Sequence, residues 1–422
     1  MSGTTRTSTI GFLGYDEEAS FAAVSSAYDK VLQVRDVTLN PGSLVQPMIE
    51  RGGVFSYMGD SEFAVQGAFL GGTLSFEMDL YGHGTTTAGA LSETPLARLL
   101  GHVFGNSDAT QVGGSATSTT DTDTLTSTNT TLLEGGLIRI GVLGDAKAEG
   151  QGTVLADATN SYELMVAMPG TVTSGDAVYA TQLIYPDVTN SNNHLTSTEA
   201  IFNNTLRFVV ATGNQQWVCR GCACTSIELS GFNAGEIPKA KMTWTVAYWD
   251  DISVTFPSAT ASADFAPAPV ANGSFFYNTV GTTTRQTEPV RNVSFSIDHG
   301  MVPIIGQGGA NTSQVIVGYV RTRSVPRLNF SVEAQAATAT PAWGTWWEAS
   351  PNTNTYRHIL YTMSITDGRT VMLYMPRCRP IGNRMTQSDI EGLNYVPVSV
   401  EGRIGATTTN ALTLSPWRIG LG

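Results

Sequence analysis

Four groups of residues in this sequence have types and spacings that could do chemistry. The tightest is Cys219-Arg220-Gly221-Cys222-Ala223-Cys224, with a fourth thiol far away at Cys378. A Cys-x-x-Cys pair with a third cysteine close by suggests part of a zinc site, which normally needs four thiolate or imidazole ligands. The same residues alternate with Trp217 as a strand would, and cysteine is then a small buried apolar group. The packed strand is the expected reading. Five histidines, His83, His102, His194, His299 and His358, are scattered without an acidic or cysteine pattern beside them and are expected to be structural. The acidic pairs Glu17-Glu18 and Asp250-Asp251 would serve glycoside hydrolysis only if two carboxylates faced each other about 5–10 Å apart across a cleft; adjacent acids usually mark a solvated turn. Trp343, Trp346 and Trp347 could stack on sugar, though core or interface packing is the commoner role. The sequence contains no Gly-x-x-x-x-Gly-Lys-Ser/Thr loop, no His-Glu-x-x-His and no Gly-x-Ser-x-Gly elbow. No catalytic, cofactor-binding or metal-ligating residue is assigned, and a non-enzymatic protein without cofactors is expected.

Whatever these residues do, a β framework must position them. Of 422 residues, 41% are hydrophobic and 14% charged. Thr, Ser, Asn and Gly fill the polar positions, which suits strands and tight turns rather than a helical bundle. The length allows more than one core. The net charge is −12, and the clustered Lys/Arg run that a nucleic-acid groove needs is missing; tight DNA binding is not expected. Residues 1–16 have no apolar run of signal-peptide length and no basic region before one. Nowhere do about 18 apolar residues succeed one another, so no membrane partner is expected. Four cysteines do not make a disulfide scaffold. A protein made in a reducing cytosol, acting there or in a particle assembled there, is expected.

The sequence repeats itself. Val34-Arg35-Asp36-Val37-Thr38-Leu39 reads like Val290-Arg291-Asn292-Val293-Ser294-Phe295, an offset of 256 (290 − 34). Pro47-Met48-Ile49-Glu50-Arg51-Gly52-Gly53 reads like Pro303-Ile304-Ile305-Gly306-Gln307-Gly308-Gly309 at the same offset (303 − 47). Leu74-Ser75-Phe76-Glu77-Met78 follows with Leu328-Asn329-Phe330-Ser331-Val332, at 254 (328 − 74). Alternating apolar residues mark these pieces as strands. Each half then continues into a hairpin: Leu206-Arg207-Phe208-Val209-Val210 into Gln216-Trp217-Val218, and Tyr361-Thr362-Met363-Ser364-Ile365 into Thr370-Val371-Met372-Leu373, across Gly-Asn and Asp-Gly turns. A last strand closes each half, residues 242–246 and 395–400, with Pro397 marking an edge or a bulge. Two divergent copies of one module are expected, residues 1–265 and 266–422.

The copies are unequal. Thr94 can cap a helix, Pro95 fits its first turn, Leu96, Leu99, Leu100 and Val103 form one stripe, and Gly105 can end it. A weaker counterpart is expected near residues 341–350. The first copy carries an insert over about residues 106–200. Within it, residues 115–131 are mostly Ser and Thr and are expected to form a mobile loop, while residues 137–143 and 162–168 look like strands. Residues 258–271, rich in Ala, Ser and Pro, read as a linker or extended arm.

The order of features resembles the phage tail tube protein family. The first half runs Gly11-Phe12-Leu13-Gly14-Tyr15-Asp16-Glu17-Glu18, the strand at residues 34–39, and a strand that follows Gly71-Gly72. Ala88-Gly89 and the Pro95-Leu96-Ala97-Arg98-Leu99-Leu100 helix come next, then Trp217-Val218-Cys219-Arg220-Gly221, Gly235-Glu236-Ile237-Pro238 and the strand at residues 242–246. The resemblance covers most of the first half apart from the insert and reaches the second half only through the repeat. It implies a mainly β fold, with tandem β-sandwich or barrel modules, each flanked by a helix or helical turn. It also implies a long hairpin contributing to a continuous barrel around a lumen. The implied function is that of a major tail tube subunit in the virion, assembled in the host cytoplasm as stacked rings. The implied partners are the tape measure, tail terminator and baseplate proteins, and genomic DNA would pass through without specific binding. Tubes of this kind mostly place six single modules in a ring, so a duplicated subunit is expected to form a trimer with pseudo-sixfold symmetry.

Two rivals remain. Another phage or surface structural protein, such as a capsid decoration, fibre or glycan-binding protein, shares the β composition but needs no duplicated ring-forming hairpin. A glycan hydrolase on a β scaffold needs a convergent acid pair.

Overall fold

The structure, a computed structural model, describes residues 11–23, 28, 30–42, 45–47, 63–65, 69–81, 94–117, 124–128, 131–141, 150–158, 161–165, 168, 172–186, 201–202, 205–212, 215–250, 268–280, 290–307, 314–333, 356–365, 369–381, 388–390, 393–404 and 415–422. Among these residues the chain is mainly β with one helix. Strands β1 (Gly11–Glu17), β2 (Lys30–Pro41), β3 (Val45–Pro47), β4 (Phe63–Val65), β5 (Phe69–Leu70) and β6 (Gly72–Asp79) precede helix α1 (Pro95–Phe104). Then come β7 (Gly105–Asp108), β8 (Gly114–Ala116), β9 (Thr124–Thr128), β10 (Leu137–Ile140), β11 (Gly150–Ala158), β12 (Ser161–Leu164), β13 (Ala177–Ala180) and β14 (Gln182–Pro186). β15 (Ile201–Phe202), β16 (Leu206–Thr212), β17 (Gln215–Ser230), β18 (Lys239–Thr245) and β19 (Tyr248–Asp250) follow. The rest is β20 (Val270–Thr279), β21 (Val290–Gln307), β22 (Gln314–Glu333), β23 (Arg357–Ile365), β24 (Thr370–Ile381), β25 (Ser388–Ile390), β26 (Leu393–Gly402) and β27 (Arg418–Leu421).

Nineteen strands join in one sheet that runs through both halves of the chain. Its faces follow the alternation in the sequence. Leu74, Phe76 and Met78 of β6 are buried while their neighbours are half-buried or exposed, the period of two that a one-sided strand requires. The core is continuous across the halves. Phe76 and Phe208 pack on Trp244 with ring centroids 6.4 and 4.9 Å away. Near the C-terminus, Trp417 meets Phe104 at 4.4 Å and Phe295 at 5.6 Å, tying α1 to a strand of the second half. Burying a residue of this size stabilises by about 1.5–3 kcal/mol relative to leaving it exposed.

Helix α1 begins and ends where its sequence demands. The Thr94 hydroxyl accepts from the Ala97 N–H at 3.1 Å, and Pro95 occupies the first turn, where its missing N–H costs nothing. Gly105 ends it with a φ of 119° and donates its N–H to the Gly101 carbonyl. Leu96, Leu99, Leu100, Val103 and Phe104 face the core. A Cβ at Gly101 would lie 2.4 Å from the Ser107 Cβ, so only glycine lets the helix press onto β7.

The insert differs from its expectation. Residues 115–131 hold most of β8 and all of β9, and these close an antiparallel barrel in the order β10-β11-β12-β9-β8-β13. Leu125 is fully buried, and the buried Ser127 donates to the Ser115 carbonyl at 2.7 Å. Closure leaves no unpaired edge, so short Ser/Thr strands with one apolar residue suffice. The expected strands at residues 137–143 and 162–168 correspond to β10 and β12. The barrel has its own core, including Leu125, Ile138, Ile140, Tyr162, Leu164 and Val178. It is carried by β7 and β14, which pair with each other. The expected helix at residues 341–350, most of the linker at 258–271, and the Gly-Asn and Asp-Gly turn residues lie outside the described residues.

Strand pairing recurs in one register. In β2 and β6, Arg35 opposes Glu77 and Thr38 opposes Ser75; in β21 and β22, Arg291 opposes Ser331 and Ser294 opposes Asn329. Both pairs bulge at this point, and each bulge holds a non-glycine residue at positive φ, Asp36 at 49° and Asn292 at 53°. Asp and Asn tolerate this region best among residues with a Cβ. The two are 256 apart (292 − 36). The third strands agree: Leu74 and Phe76 oppose Trp244 and Met242, as Leu328 and Phe330 oppose Val400 and Val398. Leu206 and Phe208 oppose Cys222 and Cys219 across a bulge, as Arg357 and Ile359 oppose Cys378 and Met375. These bulges set Val210 against Tyr361, four residues from the hairpin match that apolar alternation suggests. Pro397 opposes Ser331 of β22; on its other side, among the described residues, β24 reaches only Ser399 and β25 only Tyr395, so there its missing N–H leaves no described partner unsatisfied.

Candidate functional site

The residues with chemical potential are dispersed. Cys219, Cys222, Cys224 and Cys378 are free and buried. Desolvation pushes all four thiols up, Cys224 to about 12. The thiolate is the form that binds metal or attacks a disulfide, so these strands hold their cysteines as apolar groups. Among the described residues, no three His, Cys, Asp or Glu side chains sit close enough together to hold a metal ion. His299 and His358 are buried on β21 and β23, His102 lies in the last turn of α1, and His83 and His194 fall outside the described residues.

Glu17 and Glu18 engage different partners. Glu17 is exposed and meets Arg98 at 3.1 Å. Glu18 turns inward and accepts from the Gly221 N–H at 2.8 Å, the Ala22 N–H at 2.9 Å and the Thr205 hydroxyl at 2.6 Å. Desolvation raises its carboxyl above the usual range, against the lowering by these hydrogen bonds. Asp16 lies between Arg207 and Lys30. Desolvation tends to raise its carboxyl, yet these donors and the Glu17 N–H outweigh it and lower it. Asp250 takes two hydrogen bonds from Arg220, whose guanidinium also donates to the Ala22 carbonyl at 2.7 Å. Asp251, Trp343, Trp346 and Trp347 lie outside the described residues. These contacts tie β1, the turn after it, β16, β17 and β19 together; they are a brace.

The surface with the most unusual geometry is where the halves meet. The outer half of β17 adds to the edge of β21, with Ser226 opposite Asp298, Ile227 opposite Ile297, Glu228 opposite Ser296 and Leu229 opposite Phe295. On the other side of the same hairpin, Ile201 and Phe202 of β15 pair with Val320 and Tyr319 of β22. The buried Arg321 donates to the Val103 carbonyl at 3.2 Å, satisfying an acceptor at the end of α1. Beyond this junction the hairpin continues with Val302, Ile305 and Val317 exposed, three of the five exposed large apolar residues among those described. Edges and exposed apolar strand faces bind other strands.

The sequence reading named none of the junction residues. Ile227 and Ile297 belong to ordinary alternating strands, and nothing in their types distinguishes an edge that meets another strand from one that meets solvent. No protein-family model matches this chain, and no curated protein matches it in sequence.

Proposed function

We propose that this chain is a non-enzymatic structural protein of a virion, the major tail tube subunit of a long-tailed bacteriophage. In this reading residues 1–265 and 266–422 are tandem copies of one tube module. The observation that carries the reading is the recurring register. Three strand pairings, two bulges and one positive-φ position return in the same order along the chain. Coincidence of apolar alternation does not reproduce a bulge with an Asp or Asn at its left-handed position. The junction supports the rest of the reading. One half adds a strand to the other head to tail, and a heterologous contact of this kind closes into a ring when its rotation permits. Three chains supply six modules, hence a trimer with pseudo-sixfold symmetry, stacked into a tube.

The net charge of −12 suits a lumen through which DNA slides without being held, because a like-charged wall repels the phosphate backbone. The tape measure, tail terminator and baseplate proteins are the partners this role requires. Electron microscopy of the concentrated purified protein tests the proposal. Stacked rings or hollow tubes with three chains per ring are expected; six chains per ring or a stable monomer at all concentrations would overturn it.

A second reading, a capsid decoration, fibre or glycan-binding protein, draws on the closed barrel with its own core. It calls for stable single chains that bind sugar or cells and do not polymerise.

A further inference from the structure

Charge divides unevenly along this chain. Residues 1–265 hold 11 Lys/Arg and 27 Asp/Glu, a net charge of −16 (11 − 27), while residues 266–422 hold 12 and 8, a net charge of +4 (12 − 8). All twelve cations of the second half are arginine, whose planar fork matches carboxylates and phosphates better than lysine does. The main sheet gathers some of them. One row of directly opposed residues crosses both halves on the side that faces away from the core. Arg35 opposes Glu77, Glu77 opposes Lys241, and Lys241 opposes Glu228. These alternate in sign and balance, as cross-strand pairs should. The row continues through Ser296 to Arg327, Glu401 and Arg379. Here the balance fails. Arg403 also reaches the Glu401 carboxylate, at 2.8 Å, and its N–H donates to the Arg377 carbonyl at 2.7 Å, which sets these two arginines side by side. Four arginines surround one glutamate, although like charges placed opposite each other weaken a sheet. Arg327 is exposed and the other three are half-buried, while their strand neighbours Leu328, Cys378 and Gly402 are buried.

The recurring register gives this surface a counterpart. Leu74 opposite Trp244 matches Leu328 opposite Val400. Thr73, Thr245 and Ala223 therefore hold in the first half the row that Arg327, Glu401 and Arg379 hold in the second. Ala223 is fully buried and packs with Ala247 and Tyr319, where the β21–β22 hairpin covers the first half. One surface is a small apolar interface in the first half and an arginine cluster in the second. We propose that the arginine cluster docks the acidic first half of a second copy of this chain. Three observations choose that partner over a nucleic acid. The counterpart surface already joins one half to the other. Glu401 stands inside the cluster, where it would repel a chain of phosphates, and the pairing made there is with a carboxylate. The chain as a whole, at −12, repels nucleic acid, whereas each further copy offers a half at −16. Contact between unlike halves is the heterologous kind that closes into rings. Such complementarity speeds encounter and fixes register more than it adds affinity. The proposal rests on the reading of the chain as two ring-forming modules, and it adds the surface and its chemistry.

Assembly of the full chain, followed by light scattering as NaCl is raised, tests it. The parent should associate at least about tenfold more slowly at about 500 mM NaCl than at about 50 mM, because screening shortens the reach of exposed charges. The Arg327→Gln, Arg379→Gln variant removes two charges from the outer face and leaves the core side untouched. It should melt with the parent, associate at least about tenfold more slowly at low salt, and lose most of the salt dependence. Arg327→Lys, Arg379→Lys keeps the charge and should associate within about threefold of the parent, which separates charge from packing. Three-chain rings that form from the glutamine variant at the parent's rate would overturn this surface and leave the tube reading standing. A short labelled duplex DNA that binds the parent and not the glutamine variant, with assembly equal in both, would give the cluster to phosphate and overturn the second copy as its occupant. Parent chains that stay single at every salt and protein concentration would overturn both this surface and the tube.

Discussion

His299 is a base buried where it cannot be charged. Its ring lies 6.1 Å from that of Phe104, both nitrogens lack a hydrogen-bond partner among the described residues, and the buried Arg321 is near. Desolvation first, and then the Arg321 charge, hold its pKa well below the ordinary imidazole value. The unfolded chain takes up this proton at about pH 6.5 and the folded chain does not. Stability is therefore unaffected above that pH and falls as pH drops through it, by up to about 1.4 kcal/mol per unit. Urea unfolding at a series of pH values should show His299→Asn flatter than the parent between about pH 6.5 and 5. Equal slopes would show that His299 keeps its proton on folding. Glu18, half-buried, is the second titratable group to test. Gly221 and Ala22 donate to different oxygens of Glu18, so Glu18→Gln keeps an acceptor for one of the two N–H groups, while Glu18→Ala orphans both. The alanine variant should lose about 2–4 kcal/mol, and the glutamine variant clearly less. Residue types disclosed neither role, because a lone His or Glu in a sequence carries no mark of burial; that depends on which strands arrive from elsewhere in the chain.

At the scale of elements, the bulges of β2 and β21 make the sharpest comparison. A β-branched residue is poorly tolerated at positive φ. Asp36→Val and Asn292→Val should each cost about 1–3 kcal/mol, and by similar amounts, because both bulges have the same shape. A cost confined to one site, measured by denaturant unfolding, would count against their equivalence. Much at this scale was legible. The α1 stripe and its caps, the alternation of β6, and the 256 offset stand in the sequence, because local periodicity and capping chemistry are local facts. The register of the 206–218 and 357–375 hairpins was not, since alternating Val, Phe, Met and Ile look the same after a shift by two or four. The closed barrel was also hidden. Its strands β8, β9 and β10 are three to five residues long, and closure is a property of six strands together.

For the whole molecule the question is whether the barrel is a separate body. Its inner core is its own, yet Leu137 at the start of β10 faces outward into a second cluster with Leu183, Phe276, Leu360, Met372 and Tyr374. Arg418 of β27 reaches across to the Gly135 carbonyl at 2.8 Å, and the Thr181 hydroxyl donates to the Leu137 carbonyl at 2.8 Å. β14 then joins the main sheet by pairing with β27. A body joined by a shared apolar cluster and buried hydrogen bonds melts with its neighbour, because losing either exposes the other. Calorimetry should therefore show one transition for the intact chain. Leu137→Ala removes the wedge at a cost of about 2–5 kcal/mol without touching the inner barrel core. It should split the transition in two, with the barrel melting first. Leu125→Ala, wholly inside the barrel, should lower the single transition without splitting it, because the joint is intact. Two transitions in the parent chain would mean that β7 and β14 are a tether, and that the barrel is free to move against the main sheet.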